Sequence, residues 1–282
     1  MKFLRTRPPL LNRHGEPSPT MNQKYYAFQR AFKTHCDVIG AIIIRDIHGR
    51  MLGNKFSYLK VIFVPLGHLI YLSAFYAFLG RGALLGTDRM VFFASGILPF
   101  MIYLYPVRSI VMSIIDNRAL LMFPLVRPMD LVIGRSLLEM INSFIIIIIL
   151  FFGLYILGFS AIPKAPFETI TGILITVAFT ISFCIPNAII ASMVHGWVQF
   201  CVLYCVALYI TSGALFLPSH MPKEMVNFMY FNPLAHCVEW VRSGYYETYK
   251  EGILDKRYIF VIIVLNLLVG FWLERIFRGK LR

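Results

Sequence analysis

Apolar residues run along this chain in blocks, and six of the blocks approach the length that a membrane-crossing helix needs, about 20 residues. They cover about 58–79, 90–115, 136–157, 169–190, 197–215 and 258–273 and predict six transmembrane helices. Between 25 and 51 the pattern changes. Phe28, Phe32, Cys36, Ile39, Ile43 and Ile47 recur at steps of three and four, while Arg30, Lys33, Asp37, Arg45 and His48 fall on other faces. This periodicity predicts an amphipathic helix in the membrane interface, since its continuous apolar run, 38–44, is too short to span.

Two further stretches fit neither a span nor a plain loop. Residues 216–250 interleave aromatics (Phe228, Tyr230, Phe231, Trp240, Tyr245, Tyr246) with Lys223, Glu224, His236, Glu239 and Arg242. A segment too polar for lipid and too apolar for water predicts short re-entrant helices shielded by protein. Asn232-Pro233 divides them, with Asn232 as cap and Pro233 in the first turn. From Pro233 onward, His236, Glu239, Arg242 and Tyr246 share one helical face, where Glu239 and Arg242 can pair at i, i+3. Residues 116–135 combine a short amphipathic helix with Pro124 and Pro128, and residues 1–24 read as a flexible polar tail.

Composition agrees with an all-α polytopic membrane protein. Of 282 residues 58% are apolar and 15% charged, with mean hydropathy +0.70, against about 25% charged in soluble domains. One membrane domain, 25–282, is expected. The net charge of +13 follows the rule that basic residues collect on cytoplasmic segments, and nucleic acid is not an expected partner. With six spans, one side holds 18 Lys+Arg and the other 8, which places both termini in the cytoplasm and 216–250 outside. Arg108, inside the second span, either snorkels to the interface or faces a partner.

Candidate chemistry narrows the function further. There is no GxxxxGK[ST] phosphate loop, no HExxH, no paired-carboxylate site and no Ser/His/Asp set. The five cysteines lack metal or disulfide spacing. No catalytic or metal-binding residue is expected, and any driving energy must come from a partner or an ion gradient. A membrane-embedded transferase would need a cluster of acids or histidines. A gradient-driven transporter would need intramembrane acids, of which Glu139 is the one candidate.

Three stretches together resemble the membrane subunit of ABC-2-type exporters, specifically the capsular-polysaccharide permeases. They are RDIHGRMLGNKFSYLKVIFVP (45–65), DNRALLMFPLVRPMDLVIGR (116–135) and FNPLAHCVEWVRSGYY (231–246). Lys60, where many relatives carry Trp, departs from that pattern. The resemblance implies a homodimer in the bacterial inner membrane with two copies of an ATP-binding subunit, which would hold ATP and Mg; this chain itself would bind no cofactor. It implies as substrate a lipid-linked acidic polysaccharide, passed on to a periplasmic co-polymerase and an outer-membrane exporter. Export of O-antigen, teichoic acid, lipid or drug by the same superfamily is the alternative.

On this reading Asp116, Asn117, Arg118, Phe123, Pro124 and Arg127 form the docking surface for the ATPase, with an ordinary basic loop as the plainer explanation. Tyr71, Phe75, Phe100, Tyr103 and Tyr209 are candidates to line the sugar path, although an interfacial aromatic belt explains such rings equally. Tyr230, Asn232, Pro233, His236, Glu239, Trp240, Arg242 and Tyr246 form the candidate outer gate. Arg45 and Arg50 are placed to meet the phosphate of a lipid anchor or of ordinary headgroups.

Overall fold

A computed structural model describes residues 21–53, 56–79, 86, 88–246, 249 and 252–281. The side chains of Arg50 and Lys60 and the tail 1–20 lie outside the described residues. The described residues form helices and no strand: α1 (Met21–Gly53), α2 (Phe56–Phe78), α3 (Arg89–Val111), α4 (Ser113–Asp116), α5 (Pro128–Ile156), α6 (Pro166–Met193), α7 (Trp197–Ile210), α8 (Lys223–Met229), α9 (Pro233–Tyr245) and α10 (Lys256–Leu281). Short 3₁₀ turns occupy Arg118–Met122 and Pro218–His220.

Four helices are long and apolar enough to cross a membrane: Met90–Asp116, Pro128–Ile156, Pro166–Met193 and Lys256–Gly279. Two shorter apolar stretches, Leu66–Tyr76 and Trp197–Ile210, belong to the expected first and fifth spans. The fourteen residues of α7 measure about 21 Å, less than the hydrocarbon core of about 30 Å. The helix ends five residues before the expected limit at 215, and 211–217 is irregular.

The hub is α3, which packs on α2, α5, α6, α7 and α9. Its Phe92, Ile97, Phe100, Tyr103, Val107 and Ile110 are buried. Pro99 and Pro106 lie inside it without ending it, because neighbouring helices supply the packing that offsets a lost backbone bond. Around it, α6 lies against α10 and α9.

Other boundaries also differ from the sequence expectation, and α10 runs to Leu281, eight residues past 273. α1 begins at Met21, ahead of residue 25, and α5 begins at Pro128, eight residues ahead of 136. Pro128 suits the first helical position, and the Asp130 carboxylate accepts a bond from the Arg127 N–H at 2.9 Å. The 116–135 stretch is therefore a 3₁₀ turn and a tight turn closed by Val126 N–H on Phe123 O, followed by the first two turns of a long helix. The face that α1 packs on α5 also differs from the predicted stripe. His35, Val38, Ile42 and Asp46 face the bundle, whereas Phe28, Phe32 and Cys36 stay exposed.

Candidate functional site

Three regions gather the candidate residues: the α9 end of the bundle, the α1 end, and a seam of aromatic side chains between them.

At the α9 end, every residue of α9 except Ser243 is buried, although the helix carries a histidine, a glutamate and an arginine. Burying such groups is costly unless each finds partners. Asn232 starts the helix. Its Oδ1 accepts from the N–H groups of Leu234 (2.9 Å) and Ala235 (3.3 Å), and its Nδ2 donates to Leu208 O (2.7 Å) and Thr211 Oγ1 (2.8 Å) at the end of α7. Pro233 fills the first helical position as expected.

The expected Glu239–Arg242 pair is not formed. Arg242 is 0% exposed and donates to three backbone carbonyls, Gly213 (2.6 Å), Ala214 (2.6 Å) and Phe216 (3.1 Å). Its guanidinium also stands 4.5 Å over the Phe92 ring. These carbonyls lie in the irregular stretch after α7, outside any helical ladder, and Gly213 O also accepts from the Phe216 N–H at 3.3 Å. Glu239 accepts instead from the Tyr249 hydroxyl and from Gly252 N–H (3.0 Å). The local i, i+3 pairing loses because the irregular backbone at 213–216 presents more acceptors than one carboxylate offers.

The remaining α9 residues tie the helix outward. Trp240 Nε1 donates to Glu168 Oε2 at 2.7 Å, and Lys256 Nζ reaches the same oxygen at 3.3 Å while lying over the Trp240 ring. Thr169 lies where a β-carbon on Gly244 would stand, so α9 and α6 touch along their backbones. The Tyr246 ring lies against Gly86, whose φ of +68° favours glycine. The imidazole of His236 bridges two loops: Nε2 meets Tyr230 O at 2.8 Å, and Nδ1 accepts from Asp255 N–H at 3.0 Å. Burial holds its pKa below the usual histidine range. Tyr230 Oη donates to Asp255 Oδ2 at 2.6 Å. The eight candidate gate residues thus lie on α9 or at its two ends, and their side chains tie the helix to several different neighbours.

At the α1 end, the turn after α4 carries an apolar tip. Met122 is 86% and Phe123 61% exposed, and Leu125 is open as well. The tip is held from behind. Arg118 donates to Ser192 O at the end of α6 (2.6 Å), Asn117 donates to Ser113 O (2.8 Å), and Val126 is buried. Beside the tip lies a groove of about 400 Å³ lined by Arg30, Thr34, His35, Pro124, Leu125 and Arg127. Asp116 is exposed.

A polar network fastens α1 behind this groove. His35 meets Asp130 at 3.0 Å, and Arg135 contacts Asp46 (2.8 Å), Ser109 (2.6 Å) and Glu139 (3.5 Å). Arg45 pairs with Asp46 at 2.7 Å and also bonds Asn117. Glu139, the acid singled out near the third span, is therefore tied into this network.

The five aromatic candidates do not share one surface. Tyr103 is fully buried, stacked on Phe179, with an enclosed hydroxyl. Phe100 and Tyr209 stack on each other with centroids 3.6 Å apart. Tyr71 and Phe75 stack at 6.3 Å on an open face of α2. The residue that joins this seam is His68, which the sequence reading did not single out. Its Nδ1 lies 3.5 Å from Tyr105 Oη and its Nε2 3.4 Å from Tyr209 Oη. A lone histidine inside an apolar block, with tyrosines on two other blocks, was the available signal.

No group of three or more His, Cys, Asp or Glu placed to hold a metal occurs among the described residues.

Comparison with known proteins gives a consistent result. The sequence profile described as "ABC-2 type transporter" matches residues 38–246. The capsule polysaccharide export inner-membrane protein CtrC of Neisseria meningitidis serogroup A is 23% identical over 236 residues, covering 83% of this chain and 88% of that protein. The polysialic acid transport protein KpsM of Escherichia coli is 23% identical over 250 residues, covering 86% of this chain and 95% of that one.

Proposed function

The chain belongs to the ABC-2 type transporter family, and from that premise we propose that it is the membrane-spanning permease subunit of an ATP-driven exporter of capsular polysaccharide. The observation that carries this reading is near full-length similarity to relatives named for capsule polysaccharide export and polysialic acid transport. The chain acts as a homodimer in the bacterial inner membrane, with both termini in the cytoplasm and two ATP-binding subunits attached. Its cargo is a lipid-linked acidic polysaccharide, handed to a periplasmic co-polymerase and an outer-membrane exporter. ATP and Mg stay on the partner subunit, and the permease performs no bond chemistry.

The geometry supports a division of labour. The Met122–Leu125 tip and the adjoining basic groove offer the ATPase an apolar wedge on a braced turn. Motion of that turn passes through Arg118 to α6 and through Asn117 and Arg45 to α1. At the other end, α8 and α9 form the re-entrant gate, with Arg242 acting as an internal positioning residue. The exposed Tyr71 and Phe75, and the Phe100–His68–Tyr209 seam behind them, supply rings and hydroxyls suited to weak, repeated sugar contacts.

Complementation tests the reading. A capsule-producing strain deleted for its own export permease should regain surface polysaccharide when this chain and its genomic neighbour ATPase are supplied. Restored transport of O-antigen instead, with no capsule at the surface, would favour the O-antigen branch of the superfamily.

A further inference from the structure

The α9 end also carries an open cleft of about 890 Å³ between α8 and the start of α10. It is lined by Asn227, Tyr230, Phe231, Asp255, Lys256 and Arg257, with small and apolar residues between them. Its size lies within the range of small-molecule sites, about 300–1,000 Å³. We propose that this cleft is a binding station for one acidic sugar of the exported chain, stacked on Phe231 and held by its carboxylate on Arg257.

The commitments of the lining residues support this assignment. Phe231 is 73% exposed, a large apolar surface left open beside the cleft. Its position is nevertheless fixed, because Tyr258 Oη donates to Phe231 O at 2.8 Å and His236 holds the preceding carbonyl, Tyr230 O, at 2.8 Å. Two successive carbonyls pinned from behind keep the ring presented, with the Tyr230 ring edge-on beside it at 6.2 Å. Sugars bind such rings through their CH faces.

The charges point the same way. Asp255 is the acid among the lining residues, and its carboxylate is fully engaged. One oxygen accepts from Tyr230 Oη, and the other accepts from the N–H groups of Arg257 (2.9 Å) and Tyr258 (3.1 Å) at the start of α10. Lys256 is turned to Glu168 and Trp240. The Arg257 guanidinium is exposed and has no hydrogen-bond or ion-pair partner among the described residues. The cleft therefore offers one uncommitted, fork-shaped cation beside one open ring, with the exposed Asn227 amide for hydroxyls. A planar carboxylate on a sugar ring matches that arrangement.

This proposal rests on the polysaccharide-export reading and deepens it. The test uses the full chain in phosphatidylcholine nanodiscs, with a sialic acid tetramer, a galacturonate tetramer, a glucose tetramer and tetraglutamate as probes, followed by calorimetry. At least one acidic oligosaccharide should bind, and both Phe231→Ala and Arg257→Gln should weaken it about tenfold or more. Both residues are exposed, and an unchanged melting temperature of each variant verifies folding. Failure of both acidic sugars to bind, equal binding of tetraglutamate, or unchanged binding by the variants overturns the proposal. So does loss of sugar binding when anionic phospholipid is added to the nanodisc, which would make the cleft a headgroup site. If the unmodified chain restores capsule export while the variants bind acidic sugar as it does, the cleft assignment alone fails and the transporter reading stands.

Discussion

The Arg242 guanidinium occupies the space that a β-carbon on Gly96 would fill, and Ala214 O lies against the same point. Gly96 on α3 thus opens the passage by which an arginine on α9 reaches the backbone beyond α7. Three chain segments meet there, and none can shift alone.

Gly96→Ala is expected to displace the guanidinium and destabilise the protein by about 1–3 kcal/mol, the usual cost of overpacking. Arg242→Lys should be comparably damaging, since one ammonium cannot reproduce a planar fork spread over three carbonyls. Thermal unfolding in detergent reads both. A melting temperature unchanged in both variants would show that the passage carries no strain and the carbonyls find other donors.

At the opposite end, Arg135 stands between two carboxylates, Asp46 and Glu139, both largely buried. Removing it takes away the cation that the two carboxylates share, with Arg45 still on Asp46, so Arg135→Ala is expected to cost up to about 3 kcal/mol. Adding Asp46→Asn to that variant should recover part of the loss. A double-mutant cycle on melting temperature or urea unfolding measures the coupling, and strict additivity would count against a shared network.

Phe123→Ala and Leu125→Ala should leave the permease as stable as before, because both side chains are exposed. They should nevertheless weaken co-purification of the ATP-binding subunit about tenfold. Undiminished retention in the double variant would move the docking surface elsewhere on this end.

A pH effect is expected from His236, which lies outside the spans. Its Nδ1 accepts from Asp255 N–H, so the neutral form is required. Burial lowers the folded pKa, so the unfolded chain binds the proton more readily. Stability from this site is therefore present above the unfolded pKa of about 6.5 and is lost as pH falls through and below it. Melting curves between pH 7.5 and 5 should show that decline, and His236→Gln should flatten it. An identical slope in the variant would assign the decline to other groups.

Much of this architecture was legible in the sequence because lipid leaves few choices. Uninterrupted apolar runs predicted the long helices α3, α5, α6 and α10, and Asn232-Pro233 announced the start of α9. Partners were less legible than elements. The spacing of Glu239 and Arg242 suggested a pair, but the carbonyls that Arg242 actually serves come from 213–216, which no local pattern connects to it. For α1, the stripe through Phe28 and Phe32 was the more apolar one, yet the face turned to α5 is chosen by Asp130 and Arg135, far along the chain. His68 went unnoticed for the same reason, since its partners lie 37 and 141 residues away.

The early end of α7 bears on the order in which the protein is made. When the ribosome has released only residues up to about 216, the carbonyls of Ala214 and Phe216 lack the side-chain donor that they have in the folded chain. Their side-chain donor, Arg242, is still to be synthesised, as is Asn232, which serves Leu208 O and Thr211 Oγ1. The end of α7 and the stretch after it therefore reach their final packing only once α9 is present. That seating is expected to come late in folding, and truncation before residue 232 should prevent it.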